Sequence, residues 1–262
     1  MVQVIDRVFQ ILLTDKDAPP TLPFWGQVSV QSIRTQFPQA RHCLVQDADI
    51  RSLIRNQFGS EVLWAYEELK PLAYRADLAR YCLLYHYGGL YADIAVRFLG
   101  GFQPEEQIEF VGFQDVKSRT FWGINNGLIW CRRGYPPLRE VIQQIVSHCR
   151  EGVYGVDVTC PTGPALLGRV LTSRPPEHLC IGVMRDLTPD RPLRNRAYIL
   201  DSGDIIALGK RSAGGDLSGM DFQGTNNYVQ MWLEQDVYHQ PRPHAQETRL
   251  AMQSQLQVQY RV

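Results

Sequence analysis

The chain has 262 residues with 27 basic and 27 acidic side chains, so its formal net charge is zero. That balance encodes no surface able to track a phosphate backbone, and nucleic acid is excluded as a partner class. With 44% apolar residues the chain can bury a sizeable core, which excludes disorder of the whole.

The first apolar run, Val4–Leu13, is β-rich but interrupted by Asp6, Arg7 and Gln10. It is unlike a signal peptide, and no later window approaches the roughly eighteen apolar residues of a spanning helix. The expectation is a cytoplasmic chain with no transmembrane segment, at most in peripheral contact with a membrane. A break follows over 19–23. Trp25–Phe37 then predicts a helix stopped by Pro38, and Arg41–Val45 a second strand. Asp49 can cap a helix running through Gln57. The strongest helix is Leu72–Tyr87, where Leu78, Cys82 and Tyr85 recur on one face and Gly88-Gly89 ends it. Leu90–Val96 follows as a strand, then strands at Phe110–Phe113 and Leu128–Cys131, and a helix over Pro137–His148. Another helix enters at Thr162-Gly163-Pro164 and runs to Leu171. Ala197–Leu208 predicts a hairpin turning at Asp201–Asp204. Residues 213–228 form a Gly-rich, polar, mobile loop, and 244–262 a Gln-rich tail. Alternating strands and helices without a linker predict one α/β domain over 1–262, its central sheet mainly parallel with flanking helices. The six cysteines (Cys43, Cys82, Cys131, Cys149, Cys160, Cys180) show no C-x-x-C pair and are expected as buried thiols, not as a disulfide framework or zinc site.

Chemistry concentrates in residues 75–95. On a helix Asp77 and Arg80 are three apart and share a face, opposite the apolar stripe. After the two glycines the chain enters a strand on which Tyr91, Asp93 and Ala95 share one side. Two carboxylates and a guanidinium thus meet at a strand end, where open α/β sheets usually bind ligands. Carboxylates accept hydrogen bonds from sugar hydroxyls, and a guanidinium can pair with diphosphate oxygens. The bland alternative for Asp77–Arg80 is a surface ion pair worth tenths of a kcal/mol. Asp47-Ala48-Asp49 also spells D-x-D, but its place between strand and helix predicts a cap and turn.

Ala76-Asp77, Arg80 and Gly88-Gly89-Leu90-Tyr91-Ala92-Asp93 resemble, in order and spacing, the DXD-containing glycosyltransferases that include capsular-polysaccharide sugar transferases, initiating α-mannosyltransferases and the catalytic domains of clostridial glucosylating toxins. Weaker matches extend the resemblance over about 4–238: Val8-Phe9-Gln10-Ile11 to an opening strand beside the nucleotide base, Asn125-Asn126-Gly127, Thr162-Gly163-Pro164, and Asn226-Asn227-Tyr228 with Trp232. The resemblance implies a GT-A type fold and a retaining hexosyl transfer. A nucleotide-sugar (UDP- or GDP-linked) would donate to a glycan or other hydroxyl acceptor, in polysaccharide or glycoconjugate biosynthesis. It implies Asp77 on sugar hydroxyls, Arg80 on sugar and phosphate, Asp93 on ribose or metal-bound water, and Phe9, Gln10 and Tyr91 along the nucleotide. Asn125 or Asn126 would face the sugar or acceptor. The catalytic set is Asp93, Ala95 and Arg80.

One departure bears on the cofactor, expected to be Mn2+ or Mg2+. The family's second acid, a direct metal ligand, is here Ala95, whose methyl supplies no oxygen. Three readings stay open: a weakened metal site at Asp93 completed by Asn226 or Asn227, a non-catalytic nucleotide-sugar- or glycan-binding relative, or an Asp-to-Ala change introduced to trap a complex. No G-x-G-x-x-G or G-x-x-x-x-G-K-[ST] loop points to dinucleotide or P-loop chemistry.

Overall fold

A computed structural model describes residues 2–15, 22–116, 118–187, 195–210 and 214–240. The expected tail at 244–262 lies outside the described residues, as does residue 213 of the expected loop. Among the described residues nine strands form one sheet: β1 (Arg7–Ile11), β2 (Arg41–Val45), β3 (Gly89–Ala92), β4 (Val96–Phe98), β5 (Phe110–Gln114), β6 (Ile124–Cys131), β7 (Leu179–Asp186), β8 (Asn195–Ile199) and β9 (Ile205–Lys210). Their order is β2-β1-β3-β6-β5-β7-β8-β9-β4. Seven helices accompany them: α1 (Phe24–Gln36), α2 (Asp47–Gln57), α3 (Ser60–Glu68), α4 (Leu72–Tyr87), α5 (Pro136–Glu151), α6 (Pro164–Leu171) and α7 (Tyr228–Leu233).

The fold is mixed α/β, but the expectation of a mainly parallel sheet is corrected. Only β1 with β2, β1 with β3, and β5 with β7 pair in parallel; the other five pairings are antiparallel. Connection length is the reason. Residues 115–123 between β5 and β6, and 200–204 between β8 and β9, are shorter than the dozen or so that a parallel crossover needs.

The expected strand Leu90–Val96 is also corrected. Pairing stops at Ala92, and the Val96 N–H donates to the Asp93 carbonyl at 2.9 Å, closing a turn. That turn has a large consequence. β3 and β4 stand third and ninth in the sheet order, about 29 Å apart were the sheet flat. The step from Ala92 to Val96 reaches at most about 14 Å. The sheet must therefore curl until its edge strand β4 returns beside the Asp93 turn.

Alternation along the central strands divides the core. Phe9, Tyr91, Ile129 and Cys131 point into one cluster with α2 through α6, while Val8, Leu90, Leu128 and Trp130 point into another with α1 residue Ile33. α4 lies inside the first cluster and is buried without a break from Asp77 to Leu84. It ends at Gly88 with φ +68°, where a Cβ would come within 2.6 Å of the Arg133 backbone nitrogen. No described helix is long and apolar enough to cross a membrane. Cys82, Cys131 and Cys149 are buried, and Cys43, Cys160 and Cys180 half-buried, with no disulfide among them.

Candidate functional site

Helix α4, strand β6 and the Asp93 turn meet where their chemistry-bearing side chains bond one another. Asp77 is 7% exposed and carries three donors. Its Oδ1 accepts from Asn126 Nδ2 at 2.9 Å and lies 3.1 Å from Arg80 Nη2, while its Oδ2 accepts from Thr162 Oγ1 at 2.7 Å. Burial pushes the Asp77 carboxyl up to about 6 against the opposing pull of Arg80, Thr162 and Asn126. Arg80 is 5% exposed. Its Nε donates to the Ala76 carbonyl at 3.2 Å and its Nη1 to the Asn126 carbonyl at 2.5 Å, with Asp93 Oδ1 at 3.3 Å. Its guanidinium lies 4.5 Å over the Tyr91 ring. Burial alone would lower the Arg80 pKa, but Tyr91, Asp93 and Asp77 outweigh it and raise it. The pair is thus buried and not the surface ion pair of the bland alternative, because β6 and the Thr162 loop pack on the face of α4 that carries it.

Asp93 is the open member, with 44% of its side chain exposed. Tyr91 hydroxyl donates to its Oδ1 at 2.7 Å, and its backbone N–H donates to the Gly127 carbonyl at 2.8 Å. A Cβ at 127 would stand 2.6 Å from Asp93 Oδ2, so a side chain there would push the carboxylate out of this position. Asn125 accepts at Oδ1 from the Gly127 N–H and from Tyr198 hydroxyl, and its Nδ2 reaches toward Asp115.

Several expected contacts fall elsewhere. Phe9 and Gln10, expected along the nucleotide, are 3% and 0% exposed: Phe9 packs on Tyr87 and Gln10 is bonded inside the core. Tyr91 is buried beneath Arg80 rather than presented to a base. Asn126, expected to face sugar or acceptor, is occupied by Asp77 and Tyr81 hydroxyl. The network adds Thr162, read from the sequence only as part of a Thr-Gly-Pro turn, and Tyr81, Asp115 and Tyr198, which the sequence did not single out. Asp49 closes a capping box on α2 as expected, whereas Asp47 accepts from Arg51 Nε and Tyr66 hydroxyl and faces a cleft.

That cleft, of about 420 Å³, opens beyond the C-terminal end of β1 and is lined among others by Asp47, Lys70, Leu72, Arg75, Asn226 and His239. It lies at the first turn of α4, one to two turns before Asp77 and Arg80 on the same helix. Partial burial would raise the Asp47 carboxyl, but its bonds from Arg51 and Tyr66 hold it below its ordinary range, so it is ionised at neutral pH beside Lys70 and Arg75.

The residues expected to hold a divalent cation do not fit one. Hard cations take several oxygen ligands. Asp93 offers one carboxylate, with Oδ1 already engaged by Tyr91 and Arg80. Ala95 is half-buried against the apolar cluster of Leu12, Ile94, Met220 and Phe222. Asn226 Oδ1 accepts from the Leu72 N–H at 3.0 Å, and Asn227 Oδ1 accepts from the Val229 and Gln230 N–H groups. Both asparagines satisfy otherwise unpaired N–H groups at helix starts, on α4 and α7. Completion of the metal site by Asn227, with both oxygen lone pairs taken, is corrected on that ground, whereas Asn226 Oδ1 keeps one lone pair beside its bond to the start of α4. Among the described residues no three His, Cys, Asp or Glu side chains cluster as metal ligands.

Residues 26–109 match the family described as the glycosyltransferase sugar-binding region containing the DXD motif. The chain is 28% identical over 144 residues to HOC1 of Saccharomyces cerevisiae, named as a glycosyltransferase, covering 47% of this chain and 36% of that protein. The match thus spans little more than a third of its relative's length. In structure the chain is similar to the PaToxG glycosyltransferase, with a TM-score of 0.51 at 16% identity over 66% of this chain and 70% of the other. That likeness concerns the fold.

Proposed function

We propose that this chain, which carries the sugar-binding region of the DXD-containing glycosyltransferases, moves a hexose from a UDP- or GDP-sugar to a hydroxyl of a glycan or other acceptor with retention of configuration. One observation carries the reading: Asp77, Arg80, Asn126 and Asp93 form a continuous bonded array in which only Asp93 is open to a ligand. Such an array is preorganised before any donor arrives, which is how an enzyme stabilises developing charge without reorganising during the reaction. In the transfer, the bond from the anomeric carbon to the diphosphate breaks and a bond to the acceptor oxygen forms on the same face. The acceptor proton leaves with the diphosphate. Asp93 accepts from donor hydroxyls, and Asp77 supports the sugar from behind with its negative charge. Four Arg80 contacts go to protein groups, so Arg80 serves chiefly to hold both carboxylates and to supply a positive field near the leaving group. The cleft beside Asp47 and Arg75 offers the nucleoside a partly apolar, polar-lined seat. No step is assigned to a metal.

The test is incubation with UDP-glucose, UDP-galactose and GDP-mannose, scoring released monosaccharide and the shift in melting temperature. Hydrolysis of one donor that Asp93→Asn abolishes is the expected outcome. A second reading, a non-catalytic nucleotide-sugar-binding relative, is favoured by Ala95 packing on Leu12, Ile94, Met220 and Phe222. A melting shift with no turnover of any donor would select it. Neither shift nor turnover would end both.

A further inference from the structure

Behind the Asp93 turn lies a second polar cluster that the donor-binding array does not use. Gln10, in the middle of β1, is completely buried. Its Nε2 donates to Ser29 Oγ at 2.9 Å and toward the Asp93 carbonyl at 3.3 Å, and its Oε1 lies 3.0 Å from His42 Nε2 on β2. Ser29, on α1 and 1% exposed, donates its hydroxyl to the Val96 carbonyl at 2.5 Å.

The direction of every bond in this cluster is forced. The Asp93 and Val96 carbonyls only accept. The Ser29 hydrogen is committed to Val96, so the Ser29 oxygen must receive a hydrogen from Gln10. The amide therefore turns its NH2 toward Ser29 and Asp93 and its oxygen toward His42. His42 must in turn carry a hydrogen on Nε2. Packing alone does not call for any of this. A methionine or leucine would fill the same space without burying an amide, and a buried amide is stabilising only when its partners are met. The turn itself already closes through the Val96 N–H and the Asp93 carbonyl. What the cluster adds is a fixed position for both ends of that turn relative to β1 and α1.

We propose that Gln10 and Ser29 are positioning residues for Asp93. They grip the turn at the Asp93 and Val96 carbonyls from the core side, while Tyr91 and Arg80 grip the carboxylate from the site side. The Asp93 carboxylate is thereby presented in one orientation although nearly half of its side chain faces solvent. His42 holds the Gln10 amide in the orientation that makes the grip work. The placement rests on the geometry alone; its use for donor binding rests on the proposed function.

Gln10→Met removes both donations with little change in volume, and Ser29→Ala, in case the first variant fails to fold, removes the Val96 bond and one Gln10 acceptor while leaving the Gln10 donation toward the Asp93 carbonyl. Val8→Ala, two residues back on the same face of β1 but making no polar contact with the cluster, is the control for general destabilisation. Two quantities are measured: amide hydrogen exchange over residues 93–98, and affinity for UDP and GDP in manganese. The clamp predicts exchange faster by about tenfold or more at 93–98 in Gln10→Met and Ser29→Ala, with α4 unchanged, and nucleotide affinity weakened about tenfold. Val8→Ala, compared at equal loss of melting temperature, should change neither. Unaltered protection at 93–98 in both variants overturns the clamp. So does a nucleotide affinity that falls no further than in Val8→Ala. If the wild type binds neither nucleotide, the donor reading falls and hydrogen exchange alone decides the clamp.

Discussion

The helix half and the turn half of this site are built on opposite terms. Asp77 and Arg80, on α4, have 10% and 6% of their side chains exposed, and nearly every polar atom is committed to protein. Asp93, on the turn after β3, is 44% exposed, and Ala95 two residues on has no polar atom to commit. The buried half gains precision at the expense of desolvating charge, which is why the Asp77 carboxyl is pushed up to about 6. The open half keeps its solvation and can exchange it for a ligand. Departure from the family pattern falls on the open half, where losing a carboxylate leaves no buried partner unpaired. A loss on the helix half would orphan several.

Substitutions can break that comparison. The largest effect is expected from Arg80→Lys. An ammonium cannot bond Asp77, Asp93, Asn126 and Ala76 together, so an unpaired buried charge remains and stability should fall by about 3–5 kcal/mol. Donor turnover should fall by about a hundredfold or more. Chemical denaturation and donor hydrolysis report the two quantities, and a variant matching wild type in both would show that the Arg80 bonds support neither stability nor turnover.

Next in size is the titration of Asp77. Its folded pKa of about 6 stands above the ordinary 3.8, so its favourable contribution is full below about pH 3.8 and lost as pH rises through 6. The shift of about two units corresponds to about 3 kcal/mol. Asp77→Asn cannot titrate. The difference in unfolding free energy between wild type and Asp77→Asn should therefore swing in favour of the variant by about that amount between pH 4 and 7. Parallel stability curves would show that Asp77 is not desolvated as the geometry indicates.

A smaller gain is expected from Ala95→Asp. The methyl at 95 rests on an apolar cluster, so a carboxylate must turn away from it before meeting a cation. About a tenfold rise in manganese-dependent donor hydrolysis is expected, less than the several kcal/mol of a fully placed electrostatic group. A flat response across a manganese titration would favour the non-catalytic reading. Smallest is the effect of donor on residues 214–228. They are held by the buried Met220 and Phe222, by Asn226 on the Leu72 N–H, and by the Tyr228 and Asp15 N–H groups on the Gly214 and Gly224 carbonyls. Their exchange should slow a few-fold when donor binds, and equal rates with and without donor would exclude a lid.

Local rules in the sequence determined a good deal. The bounds of α4 at Leu72–Tyr87 and of β2 at Arg41–Val45 follow from apolar periodicity and from Gly88 and Pro38 as stops. Gly-Gly-Leu-Tyr-x-Asp after that helix was enough to bring Asp77, Arg80 and Asp93 together. Each depends on interactions within a few residues, and a short segment carries that information. Only the tertiary structure decided that the Asp77–Arg80 face is buried, because what covers it, Asn126 and Thr162, lies 49 and 85 residues from Asp77. The same limit explains the rest. Gln10 resembles a cleft residue until His42, Ser29 and the Asp93 carbonyl close around it in the core. Asn227 resembles a spare metal ligand until the start of α7 claims its oxygen. A polar side chain's role is set by which groups stand within about 3 Å of it, and chain separation along the sequence carries no measure of that distance.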